Sequence, residues 1–226
     1  MKAIILAGGK GNRLQPLTHT IPKPLIPINN LPIIDRLFTS LPDEIDEVII
    51  VVEHLKEKIK AHVGDFFQNR KVSYVDQISM RGTFGALLSA KDLLYPGEKF
   101  LVLNGDDIYD KKELEIHLVH SRAFGLQKRL MPGYHSIHID PMGNIEGFYP
   151  QNDIEKVNGS FVATGSYVVD THIFDAPAVQ LRDGEYGLPQ TLLAQKDIFP
   201  ITAVVMQKWL PINSFEDKAA AEKNTL

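Results

Sequence analysis

The stretch Leu6-Ala7-Gly8-Gly9-Lys10-Gly11-Asn12-Arg13-Leu14 sets glycine at positions 8, 9 and 11 beside two cations, Lys10 and Arg13. Glycine permits positive φ and close approach, so consecutive backbone N–H groups at such a turn can face an anion. Lys10 and Arg13 add the formal charge that amides lack, and a guanidinium grips phosphate through two donors at once. A tight turn without a ligand is the plain alternative, and three glycines with two cations in six residues favour the anion site over it. A dinucleotide turn would need glycine where Leu14 stands and an acid about 20 residues on, and a Walker turn would need Gly-Lys-Ser/Thr; neither is present. Downstream, Ile21-Pro22-Lys23-Pro24-Leu25-Ile26-Pro27 braces Lys23 between prolines that restrict it to extended backbone. A lysine aimed at a phosphate gains from such bracing; a proline-rich partner ligand and an ordinary edge loop are the alternatives. Asp106 follows the apolar run Lys99 to Asn104, where a carboxylate for a hard metal is expected and where Asp is also a common turn former.

These side chains need a scaffold that brings strand ends together. Ala3 to Ala7, Glu47 to Glu53 (EVIIVVE) and Lys99 to Asn104 (KFLVLN) are short apolar runs of the kind that form buried parallel strands. Helical patterns separate them: Pro32 to about Leu41, Leu55 to Asn69 with an apolar stripe through Ile59, Val63, Phe66 and Phe67, and Thr83 to Leu94. Val72 to Val75 reads as a strand between the last two. Alternating strands and helices predict a parallel sheet covered on both faces. After Arg122 the texture turns β-rich: Ser136 to Ile139 and Ile145 to Tyr149 flank the turn Asp140-Pro141-Met142-Gly143-Asn144, with further strands over Phe161 to Val169 and Ile201 to Met206. Ser214 caps a final helix through Lys223. The simplest layout is one compact α/β unit with a β-rich insertion over the C-terminal ends of its strands, the edge where open sheets bind ligands.

Composition narrows the class. The chain has 226 residues, 44% hydrophobic and 23% charged, enough for a core and close to the globular average. No apolar run approaches the ~18 residues of a membrane span, and the N-terminus lacks the order of a signal peptide. The absence of cysteine excludes disulfide scaffolds, iron–sulfur clusters, thiolate zinc sites and cysteine nucleophiles, and fits a reducing, cytoplasmic setting. A net charge of −4 argues against nucleic-acid binding. Met1 to Ile34 nevertheless holds Lys2, Lys10, Arg13 and Lys23 with no acid, a stretch of +4 that leaves −8 for the remainder. A site for a small phosphorylated ligand would show this, as would a solvated basic edge. The eight histidines lack metal-ligand spacing, and His117 with His120 reads as a helix face. Trp209 reads as a packing anchor.

GGKGNRL, then PLT, then PKPLIP resembles the N-terminal signature of the sugar-1-phosphate nucleotidylyltransferases. Gln77-Ile78-Ser79-Met80-Arg81-Gly82-Thr83-Phe84-Gly85-Ala86 is similar to their base-reading segment, and Asn104-Gly105-Asp106-Asp107 to their Gly-Asp metal motif. Gly184-Glu185-Tyr186-Gly187-Leu188-Pro189 and the ending from Trp209 to Glu222 also resemble the family, so the likeness spans nearly the whole chain. The resemblance implies an α/β fold, a three-layer sandwich with a mostly parallel Rossmann-like sheet and a small β-rich sugar-side insertion. It also implies a single domain over 1–226, with a nucleotide half of about 1–122, a sugar-side half of about 123–226 and no fused acyltransferase module. The implied reaction is attack of a sugar 1-phosphate on the α-phosphorus of a nucleoside triphosphate with Mg²⁺, releasing pyrophosphate and activating a sugar for polysaccharide.

In that picture Arg13 and Lys23 are the catalytic cations. Leu6, Ala7, Gly8, Gly9, Gly11, Gln77, Gly82 and Thr83 bind the nucleotide, and Asp106 binds Mg²⁺. Gln77 offers a donor and an acceptor together, which favours UTP or dTTP, with GTP also compatible. Asp107 reads as a structural acid. Several positions depart from the family. Asn12 stands where Thr or Ser is usual. The late Trp is followed by no acid, so Asn213 either supplies a second metal oxygen or belongs to the helix cap beside Ser214. The Glu-Lys-Pro motif expected near Tyr149-Pro150-Gln151 is missing; Glu155 and Lys156 replace it or form a solvated pair. Ala163-Thr164-Gly165 resembles Asn-x-Gly, with Gly165 letting the sugar approach backbone. The nucleotide half therefore reads as intact and the sugar half as divergent, and the segment from about Leu126 to Val169 sets the sugar. Two other readings stay open: a nucleotide-binding regulatory relative without turnover, and a cytidylyltransferase of a non-sugar alcohol phosphate, which would need an aromatic cage that the sequence does not evidently offer beyond Tyr134, Phe148 and Tyr149.

Overall fold

The computed structural model describes residues 1–129, 136–140, 143–149, 161–175 and 177–224. β1 (Lys2–Leu6) is buried through Ala3, Ile4 and Ile5 and leads through three short 3-10 turns, Asn12–Leu14, Leu17–His19 and Lys23–Leu25, rather than into an α-helix. A small hairpin, β2 (Pro27–Ile28) and β3 (Leu31–Pro32), delivers Pro32 to the start of α1 (Ile33–Ser40), where its fixed φ suits a helix entry. Then come β4 (Glu47–Val52), α2 (Lys56–Val63), the hairpin β5 (Phe66–Phe67) and β6 (Arg70–Asp76), α3 (Thr83–Ser89) and β7 (Lys99–Asn104). β8 (Asp107–Ile108), α4 (Lys111–Leu118), β9 (Ala123–Lys128), β10 (Ser136–Ile139), β11 (Ile145–Tyr149) and β12 (Phe161–Asp170) follow. α5 (Leu188–Ala194), β13 (Thr202–Val205), β14 (Leu210–Pro211) and α6 (Phe215–Asn224) end the described chain.

Among the described residues the main sheet has ten strands. Its centre, β7-β1-β4-β6, is parallel, with Leu6 level with Asn104 on one side and Val51 on the other. These strands are near-continuous apolar runs because both faces are covered. One face packs Ala3, Ile5, Val48, Ile50, Leu101 and Leu103 against Ile34, Leu37 and Phe38 of α1, Ile59 of α2 and Leu114 of α4. The other packs Ile4, Ile49, Val51, Phe100 and Val102 against Phe84 and Leu87 of α3 and Leu188 and Leu192 of α5. Helix, sheet and helix make three layers. The β-rich second half continues the same sheet: β12 pairs antiparallel with β7, and β9, β10, β11 and β13 extend from it.

The periodic run from Leu55 to Asn69 is not one helix. α2 stops at Val63; Gly64 takes φ +66°, and Phe66, 67% exposed, begins the short strand β5. α3 likewise ends at Ser89 before a 3-10 turn over Lys91–Leu93. β9 is a buried strand that the sequence pattern did not reveal. Its Gly125 lies so close to Thr164 and Ser166 that a Cβ there would come within 2.0 Å of the Ser166 hydroxyl. A third, smaller core of Leu14, Ile26, Ile28, Ile33, Ile108 and Ile212 ties the N-terminal turns to β8 and to the segment after β14.

Candidate active site

Four parallel strands end at one edge, and each delivers part of a cleft of about 710 Å³. β1 supplies Leu6 and Ala7 and the turn Gly8-Gly9-Lys10; β4 supplies Glu53; β6 supplies Gln77; β7 supplies Asn104, Gly105 and Asp106. The β1 and β7 ends are locked together by Gly105, whose N–H donates to the Leu6 carbonyl at 2.9 Å. Gln77 leans over the glycine turn, so that a Cβ on Gly8 would lie 2.7 Å from its Oε1. Gly11 takes φ +65°, and its carbonyl accepts from the Thr18 hydroxyl at 3.0 Å.

The far wall is α3 with the loop before it. Gly82 has φ +94°, and a Cβ there would meet the backbone of Tyr186 at 2.5 Å. Phe84 N–H donates to Tyr186 O at 3.0 Å, and Leu188 N–H donates to Thr83 Oγ1 at 2.9 Å. The Gly184 to Pro189 segment thus props Gly82 and Thr83 against the cleft. Across its mouth Arg81 pairs with Glu185 at 3.0 Å.

The floor is ionic. Lys23, held in its 3-10 turn between Pro22 and Pro24, is buried, and its Nζ donates to Asp106 Oδ2 and, at 2.9 Å, to Asn213 Oδ1. Asn213 arrives from the other end of the chain because β14 pairs with β8, placing Pro211 opposite Asp107. Asp107 is buried behind Asp106, and its Oδ2 accepts from Trp209 Nε1 at 3.2 Å and from Asn104 Nδ2 at 3.4 Å. Burial, with the Asp106 charge beside it, pushes the Asp107 carboxyl well above the usual carboxylate range. Asp107 is therefore a structural tie, and Trp209 is a packing anchor with a polar hold on it.

Leu6, Ala7, Gly8, Gly9, Lys23, Gln77, Gly82, Thr83 and Asp106 all line the cleft, with Asn213 touching Lys23 beneath it. Gly11 and Arg13 are not on its wall. Arg13 sits exposed on the turn after Gly11 and makes no ion pair among the described residues. Lys2, counted with the same basic stretch, pairs with Glu98 at 3.0 Å instead. Gly165 is off the cleft wall as well: with φ +70° it lies under Asn104, and a Cβ there would meet Asn104 Nδ2 at 2.1 Å. Glu155 and Lys156 fall outside the described residues, as does Tyr134. Glu53, Arg81, Asn104 and Glu185 were missed as cleft residues. Glu53 had a usable signal, since it ends an apolar run parallel to the one that presents Asp106.

Residues 2–200 match the family described as nucleotidyl transferase. The bifunctional protein GlmU of Methanocaldococcus jannaschii is 36% identical over 177 residues, covering 77% of this chain and 41% of that protein. The chain thus spans about two fifths of the length of such relatives. The D-glycero-alpha-D-manno-heptose 1-phosphate guanylyltransferase of Campylobacter jejuni is 31% identical over 183 residues and 80% of each chain. Among solved structures, a UDP-glucose pyrophosphorylase complexed with UDP-glucose superposes with a TM-score of 0.84 at 20% identity, over 99% of this chain and 97% of that one. The family match runs through the glycine turn and the Gly105-Asp106 edge, and with the likeness to the guanylyltransferase over 80% of each chain it shows the family: the chain belongs to the sugar-1-phosphate nucleotidylyltransferases.

Proposed function

We propose that the protein transfers a nucleotidyl group from a nucleoside triphosphate to a sugar 1-phosphate. An oxygen of the sugar phosphate attacks the α-phosphorus, the bond from that phosphorus to the β-bridging oxygen breaks, and pyrophosphate leaves with the electron pair. The observation that carries this reading is the Lys23 ammonium lodged between Asp106 and Asn213 beside a glycine turn at the ends of parallel strands.

Both substrates are polyanions, so positioning and charge neutralisation carry the catalysis and no protein nucleophile is required. Gly8 and Gly9 offer backbone N–H groups to the triphosphate, Lys10 adds charge from the rim, and Lys23 adds it from the floor. Arg13, exposed on the turn just outside the wall, is assigned to the phosphate tail as a further cation. Gln77 pairs with the base edge, and the Gly82-Thr83 backbone approaches the same base. That donor and acceptor pair favours UTP or dTTP and is compatible with GTP.

The residues fit Mg²⁺. Asp106 gives a carboxylate oxygen and Asn213 an amide oxygen, both hard donors converging on one point. No group of three or more His, Cys, Asp or Glu suited to a metal occurs among the described residues, so a Mg²⁺ ion held by Asp106 and Asn213 would depend on substrate phosphates and water for its other ligands. Bound there, Mg²⁺ supplies Lewis-acid neutralisation of phosphate charge.

Incubation with Mg²⁺ and a matrix of four nucleoside triphosphates and a panel of sugar 1-phosphates, read by mass spectrometry, tests the reading. A nucleoside diphosphate sugar with matching pyrophosphate is expected from at least one pair. Nucleotide binding with no product anywhere in the matrix would instead select a binding-only relative.

A further inference from the structure

Lys23 is the one buried charged side chain lining the cleft among the described residues; Lys10, Glu53 and Arg81 are exposed, and Asp106 is half-buried. A lysine meant only to touch phosphate would point its ammonium at the anion-binding turn, as the exposed Lys10 can. Lys23 spends two of its three donors on Asp106 Oδ2 and Asn213 Oδ1. Those are the two oxygens that the proposed function gives to the divalent cation, so this inference rests on that reading. The backbone beneath is fixed: Leu25 N–H donates to Pro22 O at 2.8 Å and Ile26 N–H to Lys23 O at 3.1 Å. The ammonium can leave only by side-chain rotation.

We propose that Lys23 is the resident cation of the metal site: in the free protein its ammonium holds the two oxygens, and a divalent ion gains them only when nucleotide phosphates draw the ammonium away. A bare divalent ion approaching Asp106 meets a positive charge already in contact with the carboxylate. Oxygen–metal bonds of about 2.1 Å leave no room for both cations. A triphosphate, which carries more negative charge than one carboxylate, offers the ammonium a stronger partner and brings its own chelated metal. The metal and the nucleotide therefore enter together, and the free protein is blind to the metal alone.

Electron paramagnetic resonance titration of Mn²⁺ into the nucleotide-free protein tests this. The wild type is expected to bind no Mn²⁺ stoichiometrically. Lys23→Met, which keeps the chain length and removes the charge, is expected to bind one ion at least about tenfold more tightly, as loss of a contacting like charge dictates. Adding Asp106→Asn to Lys23→Met should abolish that gain. The proposal is overturned if wild type binds Mn²⁺ as tightly as Lys23→Met, if folded Lys23→Met gains nothing, or if the gain survives Asp106→Asn. Should Lys23→Met not fold, the ¹⁵Nζ resonance of Lys23 in the wild-type protein decides: Mg²⁺ alone must leave it unmoved, and a shift overturns the idea. Failure of nucleotidyl transfer would show in the product matrix and not in these titrations, so the two readings fail separately.

Discussion

At the scale of single residues, the cleft works through atoms a few ångströms apart. Asp106→Asn removes one of the two converging oxygens' formal charge and is expected to lower turnover by about a hundredfold or more, measured as product formation at saturating substrate. Gly8 makes a finer test. An alanine Cβ there would stand 2.7 Å from Gln77 Oε1, the far end of a flexible side chain, so Gln77 must move while the fold does not. Gly8→Ala is expected to cut kcat/KM for the preferred triphosphate by roughly tenfold and to narrow its margin over the others, with little change in thermal midpoint. Lys23, Gln77 and Asp106 were legible in the sequence because bracing prolines, motif spacing and a strand end each carry a local signal. Arg13 and Gly165, also singled out by the sequence, lie off the cleft wall. Whether a side chain or a glycine serves the cleft or its surroundings depends on chains that come from far away, such as Asn104 lying over Gly165.

Secondary elements hold these atoms through a few contacts. The Gly82 bend pins α3 to the Tyr186 backbone, and Gly82→Ala forces a side chain both into φ +94° and against a main-chain oxygen at 2.5 Å. A loss of about 1–3 kcal/mol or more is expected, read as a lower urea midpoint. α4 is capped by Asp110, whose carboxylate accepts from Lys112 N–H at 3.1 Å and Glu113 N–H at 3.3 Å. Asp110→Ala should cost about 1 kcal/mol of stability by the same measurement and leave the nucleotide KM alone. Strands β1, β4 and β7 were legible as apolar runs because burial on both faces writes itself into composition. The Leu55 to Asn69 run misled because Phe66 and Phe67 continue a helical spacing past Gly64, and only the pairing of β5 with β6 shows the chain has turned. β9 escaped because Gly125 interrupts its pattern for a tertiary reason, the close approach of Ser166.

For the molecule as a whole, pH acts through buried groups. His117 lies between the Glu113 carbonyl at 2.9 Å and the Ser166 hydroxyl at 3.1 Å, and burial pulls its pKa down from 6.5 to about 4. The unfolded chain therefore binds this proton more readily than the folded one. The stability contribution is whole above about pH 6.5 and is lost as pH falls towards 4, on the order of 3 kcal/mol in all. Urea midpoints at pH 7 and pH 5 should differ for the wild type, and His117→Gln should flatten the difference. The three-layer arrangement was legible from alternating runs, whereas the return of the chain to β8 was not, because two-residue strands have no period to read. That return has a consequence in time. Lys23 and its Asn213 partner are 190 positions apart. During synthesis the glycine turn, Lys23 and Asp106 leave the ribosome well before Asn213, so the ammonium and its carboxylate partner are made long before the amide that joins them.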